Sequence, residues 1–269
     1  MIRIFNEDCM KTMGNMPVGA VDLIVTSPPY NTNMKAGKCG TLNTAVSNKG
    51  YTHVRYDGYV DTKTNEEYID WCIKLFHEFA RVVNLNGCVL WNVSYGAENT
   101  ECMFRTVSAI CERTEWTIAD TVVWKKKSAL PNNVSPNRLT RICEYVFIFV
   151  RRGEEHTMFM NKKETSRRNN GQVMYENIYN FIEADNNDGE CKLNKATYST
   201  ELVNWLLKLY APQNGIVYDP FMGSGTTANA CRNLGLDCYG SEISKAQCEY
   251  AKKRVSDMFT EVDVVHESN

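Results

Sequence analysis

No two of the eleven cysteines form a C-x-x-C pair, and no apolar run approaches the roughly 20 residues that a membrane span requires. Cys9, Cys39, Cys72, Cys88, Cys102, Cys111, Cys143, Cys191, Cys231, Cys238 and Cys248 lie mostly inside apolar segments, which argues for free, buried thiols in a reducing compartment rather than metal ligands or disulfides. Histidine is scarce at four. His53, His156 and His266 have no Cys, Asp or Glu arrangement of metal-ligand type and His77 reads as surface, so no metal site is expected. The start, Met1-Ile2-Arg3-Ile4, lacks a signal-peptide pattern, and a soluble, cytoplasmic protein is expected.

At 269 residues and 43% hydrophobic content, the chain suffices for one large α/β domain with an insertion. Val21 to Val25 is an apolar run that ends in Thr26-Ser27-Pro28-Pro29-Tyr30. Proline cannot donate to a sheet ladder and fixes its own torsion, so a buried strand beginning near Asp22 must stop here in a stiff turn. The turn holds a hydroxyl, free carbonyls and an aromatic ring at a strand's C-terminal edge, where ligand sites collect in open α/β sheets. On these residues alone, a Pro-Pro turn whose tyrosine caps a core is an equal alternative.

Gly215 to Asp219 reads as a second short strand, and Pro220-Phe221-Met222-Gly223-Ser224-Gly225-Thr226-Thr227 as a glycine turn opening a helix near Thr226. About 20 residues on, Leu236 to Ser241 is a strand ending in Glu242, the spacing at which a nucleotide-type fold offers a carboxylate to a ribose hydroxyl pair. Gly223 and Gly225 read as backbone that a ligand approaches closely, and Asp219 and Glu242 as carboxylates for its amino and hydroxyl groups.

Elsewhere Arg3 to Phe5 is a short strand, and Asp8 beyond it reads as a helix N-cap. Ile69, Cys72, Ile73, Phe76, Ala80 and Val83 mark one face of a helix over Glu66 to Val83. Gly87 to Val93, Trp116 to Trp124 and Arg141 to Arg151 read as strands, Glu98 to Arg113 and Ser244 to Met258 as helices, and Ser199 or Thr200 as the cap of a helix ending at Leu209. Asn31 to Glu66 is too long for an ordinary structureless loop and is expected to be a mobile flap; Lys125 to Asn137 is a loop, 152–194 is irregular, and the tail after Thr260 is loose. The alternation of strands and helices predicts a doubly wound, mostly parallel sheet with helices on both faces.

Ser27 to Tyr30 and Asp219 to Thr226 together resemble two motifs of the DNA methyltransferases that methylate exocyclic amino groups with S-adenosylmethionine: a catalytic Ser/Asp/Asn-Pro-Pro-Tyr and a cofactor-binding Asp-Pro-Phe-x-Gly-Ser-Gly-Thr. The catalytic motif comes first, as in the circularly permuted β class. The resemblance implies a Rossmann-like methyltransferase domain divided into a catalytic half at 1–150 with a mobile loop at 31–66, a small target-recognition insertion at 151–194 and a cofactor half at 195–269. It gives Ser27, Pro28, Pro29 and Tyr30 to catalysis, and Asp8, Thr26, Lys195, Thr197, Asp219, Pro220, Phe221, Gly223, Ser224, Gly225, Thr226, Thr227 and Glu242 to the cofactor. Before the cofactor half, family members often carry Lys-His-Pro-Ala-x-Phe-Pro; this chain keeps Lys195-Ala196 and an aromatic Tyr198 but lacks the His and both prolines.

The net charge of −2 hides a segment, Lys125 to Arg168, with eleven Lys and Arg against four Glu, in a chain of 30 basic and 32 acidic residues. Such a concentration suits a phosphate-contacting face on double-stranded DNA, with a solvated loop as the alternative. Lys125, Lys126, Lys127, Arg138, Arg141, Arg167 and Arg168 are the candidates.

An exocyclic amino nitrogen is a poor nucleophile because its lone pair is delocalised into the ring. The Ser27 oxygen and the Pro28 carbonyl, each accepting one amino hydrogen, would favour the partly cationic nitrogen of the transition state, while Tyr30 stacks on a base flipped from the duplex. Within the resemblance, Ser27 favours cytosine N4, with adenine N6 as the alternative because some adenine enzymes also carry Ser there. A nucleotide-dependent oxidoreductase would leave Ser27 to Tyr30 unexplained, and a silent DNA-binding subunit should lack an intact motif. A homodimer and a cognate restriction endonuclease are partners that the resemblance leaves open.

Overall fold

Side-chain alternation along the central strands sets the architecture. In β2 (Val21–Thr26), Leu23 and Val25 belong to one core and Ile24 to another; in β5 (Cys143–Arg151), Ile148 and Val150 divide from Phe147 and Phe149 in the same way. Strands apolar on both faces need cover on both faces. The computed structural model describes residues 1–31, 63–96, 99–129, 136–189, 197–256 and 260–266. One face is covered by α1 (Cys9–Asn15), α2 (Asn65–Val82) and α3 (Cys102–Arg113), the other by α4 (Thr200–Tyr210), α5 (Thr226–Leu234) and α6 (Lys245–Val255).

The remaining strands of the main sheet are β1 (Ile2–Asn6), β3 (Val83–Val93), β4 (Trp116–Lys126), β8 (Phe181–Ala184), β9 (Ile216–Asp219), β10 (Asp237–Ser241) and β11 (Val262–His266). Their order is β11-β1-β10-β9-β2-β3-β5-β4-β8, and every strand runs parallel except β5, which is antiparallel to both neighbours. From β2 the chain winds outward through β3, and from β9 it winds the opposite way through β10. The adjacent β2 and β9 therefore flank the topological switch point, and the carboxyl ends of both open on one crevice.

Three expectations change. Of the tail expected to be loose after Thr260, Val262 to His266 instead pairs in parallel register with Ile2 to Asn6 and covers what would otherwise be an open sheet edge. The interval 152–194 is not irregular throughout, because β6 (Glu164–Asn169) and β7 (Gln172–Tyr175) form a hairpin and β8 extends the main sheet beside β4. The hairpin turns on Asn170 and Gly171, at φ 51° and 83°, a left-handed pair that these two residue types tolerate. Lys125 and Lys126 are not in a loop but end strand β4. The expected flap falls almost wholly on 32–62, outside the described residues, as do Cys39, Cys191 and Lys195.

No helix among the described residues is long and apolar enough to cross a membrane, and no cluster of His, Cys, Asp and Glu among them could hold a metal. The nine described cysteines are free; burial pushes the Cys88 thiol up to about 12, so it stays protonated and packs as an apolar group.

Candidate active site

The turn after β2 is built rigidly. Pro28 and Pro29 are buried, the Tyr68 hydroxyl of α2 donates to the Pro29 carbonyl at 2.6 Å, and Asn31 closes the turn in the left-handed region, its carbonyl accepting from Asn99 Nδ2 at 2.9 Å. Ser27 and Tyr30 stay half-buried at the crevice, with Ser27 Oγ 2.7 Å from Tyr30 Oη.

Two further residues complete this group. Tyr30 Oη donates to Glu144 Oε2 at 3.0 Å, and Asn92 Nδ2 reaches Tyr30 Oη at 2.7 Å, Glu144 Oε2 at 3.0 Å and Ser27 Oγ at 3.4 Å. Both Asn92, near the end of β3, and Glu144, near the start of β5, are buried, and the other Glu144 oxygen pairs with Lys126 at the end of β4. The sequence reading misses both. Their signal is a single polar residue inside an apolar run, Leu90-Trp91-Asn92-Val93 and Glu144-Tyr145-Val146, which a sheet tolerates only where a partner is supplied.

On the other side of the switch point Asp219 is fully buried, and four internal donors engage it. Thr26 Oγ1 reaches Oδ1 at 2.7 Å, the Phe221 amide reaches it at 3.1 Å, and the Tyr198 and Thr227 hydroxyls bond to Oδ2. Burial pushes its carboxyl above the usual range, and these hydrogen bonds pull it back. Asp219, Thr26 and Thr227, all expected at the cofactor, are tied to one another, joining β2 to β9 and α5. Glu242 remains at the crevice, its oxygens accepting from the Gly223 amide at 3.0 Å and the Ser244 amide at 2.7 Å, and burial raises its carboxyl also.

The glycine loop between β9 and α5 has Gly223 and Gly225 at φ 54° and 81°. Packing alone demands glycine at 225: a Cβ there would stand 2.8 Å from Ala251 Cβ of α6. Pro220 is buried, and the half-buried Phe221 ring lies 5.5 Å from that of Trp71. Asp8 caps α1, accepting from the Met10 amide at 2.8 Å at the exposed end of β1. Asp188, from the end of the expected recognition insertion, lies over the start of α5. Its Oδ2 accepts from Thr226 Oγ1 at 3.2 Å, Ser224 Oγ at 3.4 Å and Arg254 at 2.9 Å, a buried ion pair, while its amide donates to Thr197 Oγ1 at 3.3 Å.

The expected DNA contacts separate into two sets. Lys125 pairs with Glu183 at 2.6 Å, Lys126 with Glu144, and Lys127 with Asp185 at 3.1 Å and Glu201 at 2.9 Å, so protein carboxylates hold all three. Three of those carboxylates lie outside the basic segment in sequence and fold back onto it. Arg138, Arg141, Arg167 and Arg168 are exposed; Arg141 covers the Tyr95 ring at 5.5 Å, and Arg167 and Arg168 ride on β6.

A parallel sheet with a rigid Ser-Pro-Pro-Tyr turn and a glycine loop facing each other across its switch point is the frame of an amino-methylating enzyme. Residues 21–253 match the DNA methylase family of N6/N4 methyltransferases, and the chain belongs to that family. It is similar to the Type II methyltransferase M.BglII of Bacillus subtilis, 24% identical over 271 residues that span 94% of this chain and 69% of M.BglII. Its fold is similar to that of the cytosine-N4-specific PvuII DNA methyltransferase, with a TM-score of 0.68 at 14% identity, covering 96% of this chain and 87% of that one. It is also similar to M1.HpyAVI in complex with SAM, with a TM-score of 0.59 at 21% identity over 95% of this chain and 100% of the other.

Proposed function

We propose that this DNA methylase transfers a methyl group from S-adenosylmethionine to cytosine N4 of a base flipped out of a specific duplex sequence. One observation carries the reading: a serine, rather than Asp or Asn, closes β2, with its hydroxyl held at the crevice by Tyr30 and Asn92. The residues suit the cofactor. Glu242 would hold the ribose hydroxyls, since each of its oxygens accepts one backbone amide and keeps further lone pairs; Gly223 offers backbone without a side chain, and Phe221 and Asp8 would line the adenine. When bound, the cofactor supplies an electrophilic methyl on a positively charged sulfur.

The protein's part is to orient the amine. Ser27 Oγ and the Pro28 carbonyl would take its two hydrogens, and the Tyr30 ring would stack on the base. Sequence recognition is given to the β6–β7 hairpin, a two-stranded ribbon carrying Arg167 and Arg168 of a kind that a major groove admits, with Arg138 and Arg141 on phosphates. The Type II name of M.BglII makes a cognate restriction endonuclease the natural partner to look for.

The test is transfer of labelled methyl from S-adenosylmethionine to duplex DNA. Glu242→Ala is expected to weaken the cofactor about tenfold in calorimetry, the worth of one hydrogen bond to a charged group. Unchanged affinity in a folded variant would remove Glu242 from the cofactor site.

A further inference from the structure

We propose that Glu144 fixes the direction of the hydrogen bonds in the catalytic turn and receives the proton that the target amine must lose. This rests on the methyl-transfer reading above. A carboxylate only accepts hydrogen bonds, and a tyrosine hydroxyl has one proton to give. Tyr30 gives that proton to Glu144 Oε2 at 3.0 Å, so the 2.7 Å bond between Ser27 and Tyr30 must run from Ser27 Oγ to Tyr30 Oη. Ser27, which already accepts from Asn92 Nδ2 at 3.4 Å, is thereby left with one free lone pair, the state in which it can accept from an amine. Were Tyr30 to donate to Ser27 instead, that second lone pair would be taken as well.

Asn92 supports the same direction. It commits its Nδ2 hydrogens to Ser27, Tyr30 and Glu144, while its buried Oδ1 has no hydrogen-bond partner among the described residues, so this position supplies donors and no competing acceptor. The ion pair with Lys126 alone does not account for Glu144. It engages Oε1, whereas Oε2 belongs to the catalytic turn. The charged and titratable groups that these bonds bring to Glu144 are Lys126 from β4 and Tyr30 from the turn after β2; β3 contributes the neutral Asn92.

The step balances. The amine lone pair forms the N–CH3 bond while the sulfur keeps the S–C pair and becomes a neutral thioether, leaving the nitrogen cationic. That nitrogen gives one proton to Ser27 Oγ, Ser27 gives its own to Tyr30 Oη, and Tyr30 gives its own to Glu144 Oε2. The neutral carboxyl later returns the proton to solvent. Glu144 touches neither substrate nor cofactor in this scheme; it is a positioning residue acting through Tyr30 and Ser27.

Glu144→Gln tests it in two ways. In the cofactor-free protein, the Tyr30 ring-carbon resonance next to the hydroxyl, assigned by its loss in Tyr30→Phe, is expected to shift when the carboxylate becomes an amide. In single turnover, Glu144→Gln should lower the methylation rate about 100-fold, the lower part of the range for a positioned base, and remove the fall in rate toward acid pH expected of the parent from this relay, with cofactor and DNA affinities retained. Tyr30→Phe keeps the ring but breaks the chain, and should lose the same acid limb even if Glu144→Gln folds poorly. An unshifted resonance, or a parental rate and pH profile in either variant, overturns the relay while leaving methyl transfer intact. A parent that moves no methyl to DNA overturns both.

Discussion

Ser27→Ala is expected to lower the single-turnover methylation rate about 1000-fold, the upper part of the loss seen when one preorganised transition-state hydrogen-bonding group is removed. Affinities for S-adenosylmethionine and DNA should hardly move, because the Ser27 oxygen gains most as the amine nitrogen becomes cationic. The fold should survive: Ser27 is half-buried, its removal leaves Tyr30 bonded to Glu144 and Asn92, and Tyr68 still pins the Pro29 carbonyl. Tyr30→Ala should behave differently. It loses base stacking, worth about 1–3 kcal/mol, and with it retention of the flipped base, which 2-aminopurine at the target position reports by fluorescence. Ser27→Ala with a parental rate would remove the serine from the chemistry, and Tyr30→Ala with parental extrusion would reduce the tyrosine to packing.

The second large effect concerns stability. Asp188 and Arg254 form an ion pair with side chains only 2% and 6% exposed, and the same carboxylate oxygen accepts from Ser224 and Thr226 at the start of α5. Asp188→Ala leaves a buried guanidinium without its carboxylate and removes a negative group from a helix N-terminus, where it is favourable. The unfolding free energy should fall by about 3–5 kcal/mol, read from the urea midpoint. A double variant, Asp188→Leu with Arg254→Met, should lose less, because an apolar pair buries no uncompensated charge. A shift below about 1 kcal/mol for Asp188→Ala would mean that water reaches this pair.

The strands and helices that frame the crevice are legible because each is punctuated locally. Pro28 and Pro29 end β2, Thr64 and Glu67 close a capping box that starts α2, and Ser199 caps α4. The hairpin was equally available in Asn170-Gly171, a turn signal that outweighs the polar composition around it. By contrast, β11 is five residues of mixed polarity whose partner β1 lies at the opposite end of the chain, and no local pattern reveals such a pairing.

Within the site, motif matching singles out Ser27, Tyr30, Asp219 and Glu242 one by one. It cannot see that Thr26, Tyr198 and Thr227 converge on the Asp219 carboxylate. The lysine pairings are hidden for a related reason: charge counted along the chain takes no account of Glu183, Asp185 and Glu201 folding onto Lys125 and Lys127. Asn92 and Glu144 are single residues on separate strands, brought together only because β5 runs antiparallel between β3 and β4.

The most direct test is mass spectrometry of nucleosides from DNA methylated by the purified protein. N4-methylcytosine, formed about 1000-fold more slowly by Ser27→Ala, is the predicted result. N6-methyladenine would keep the amino chemistry and overturn the choice of base, whereas 5-methylcytosine, or no methylated nucleoside at all, would contradict the account of Ser27 and Tyr30 altogether.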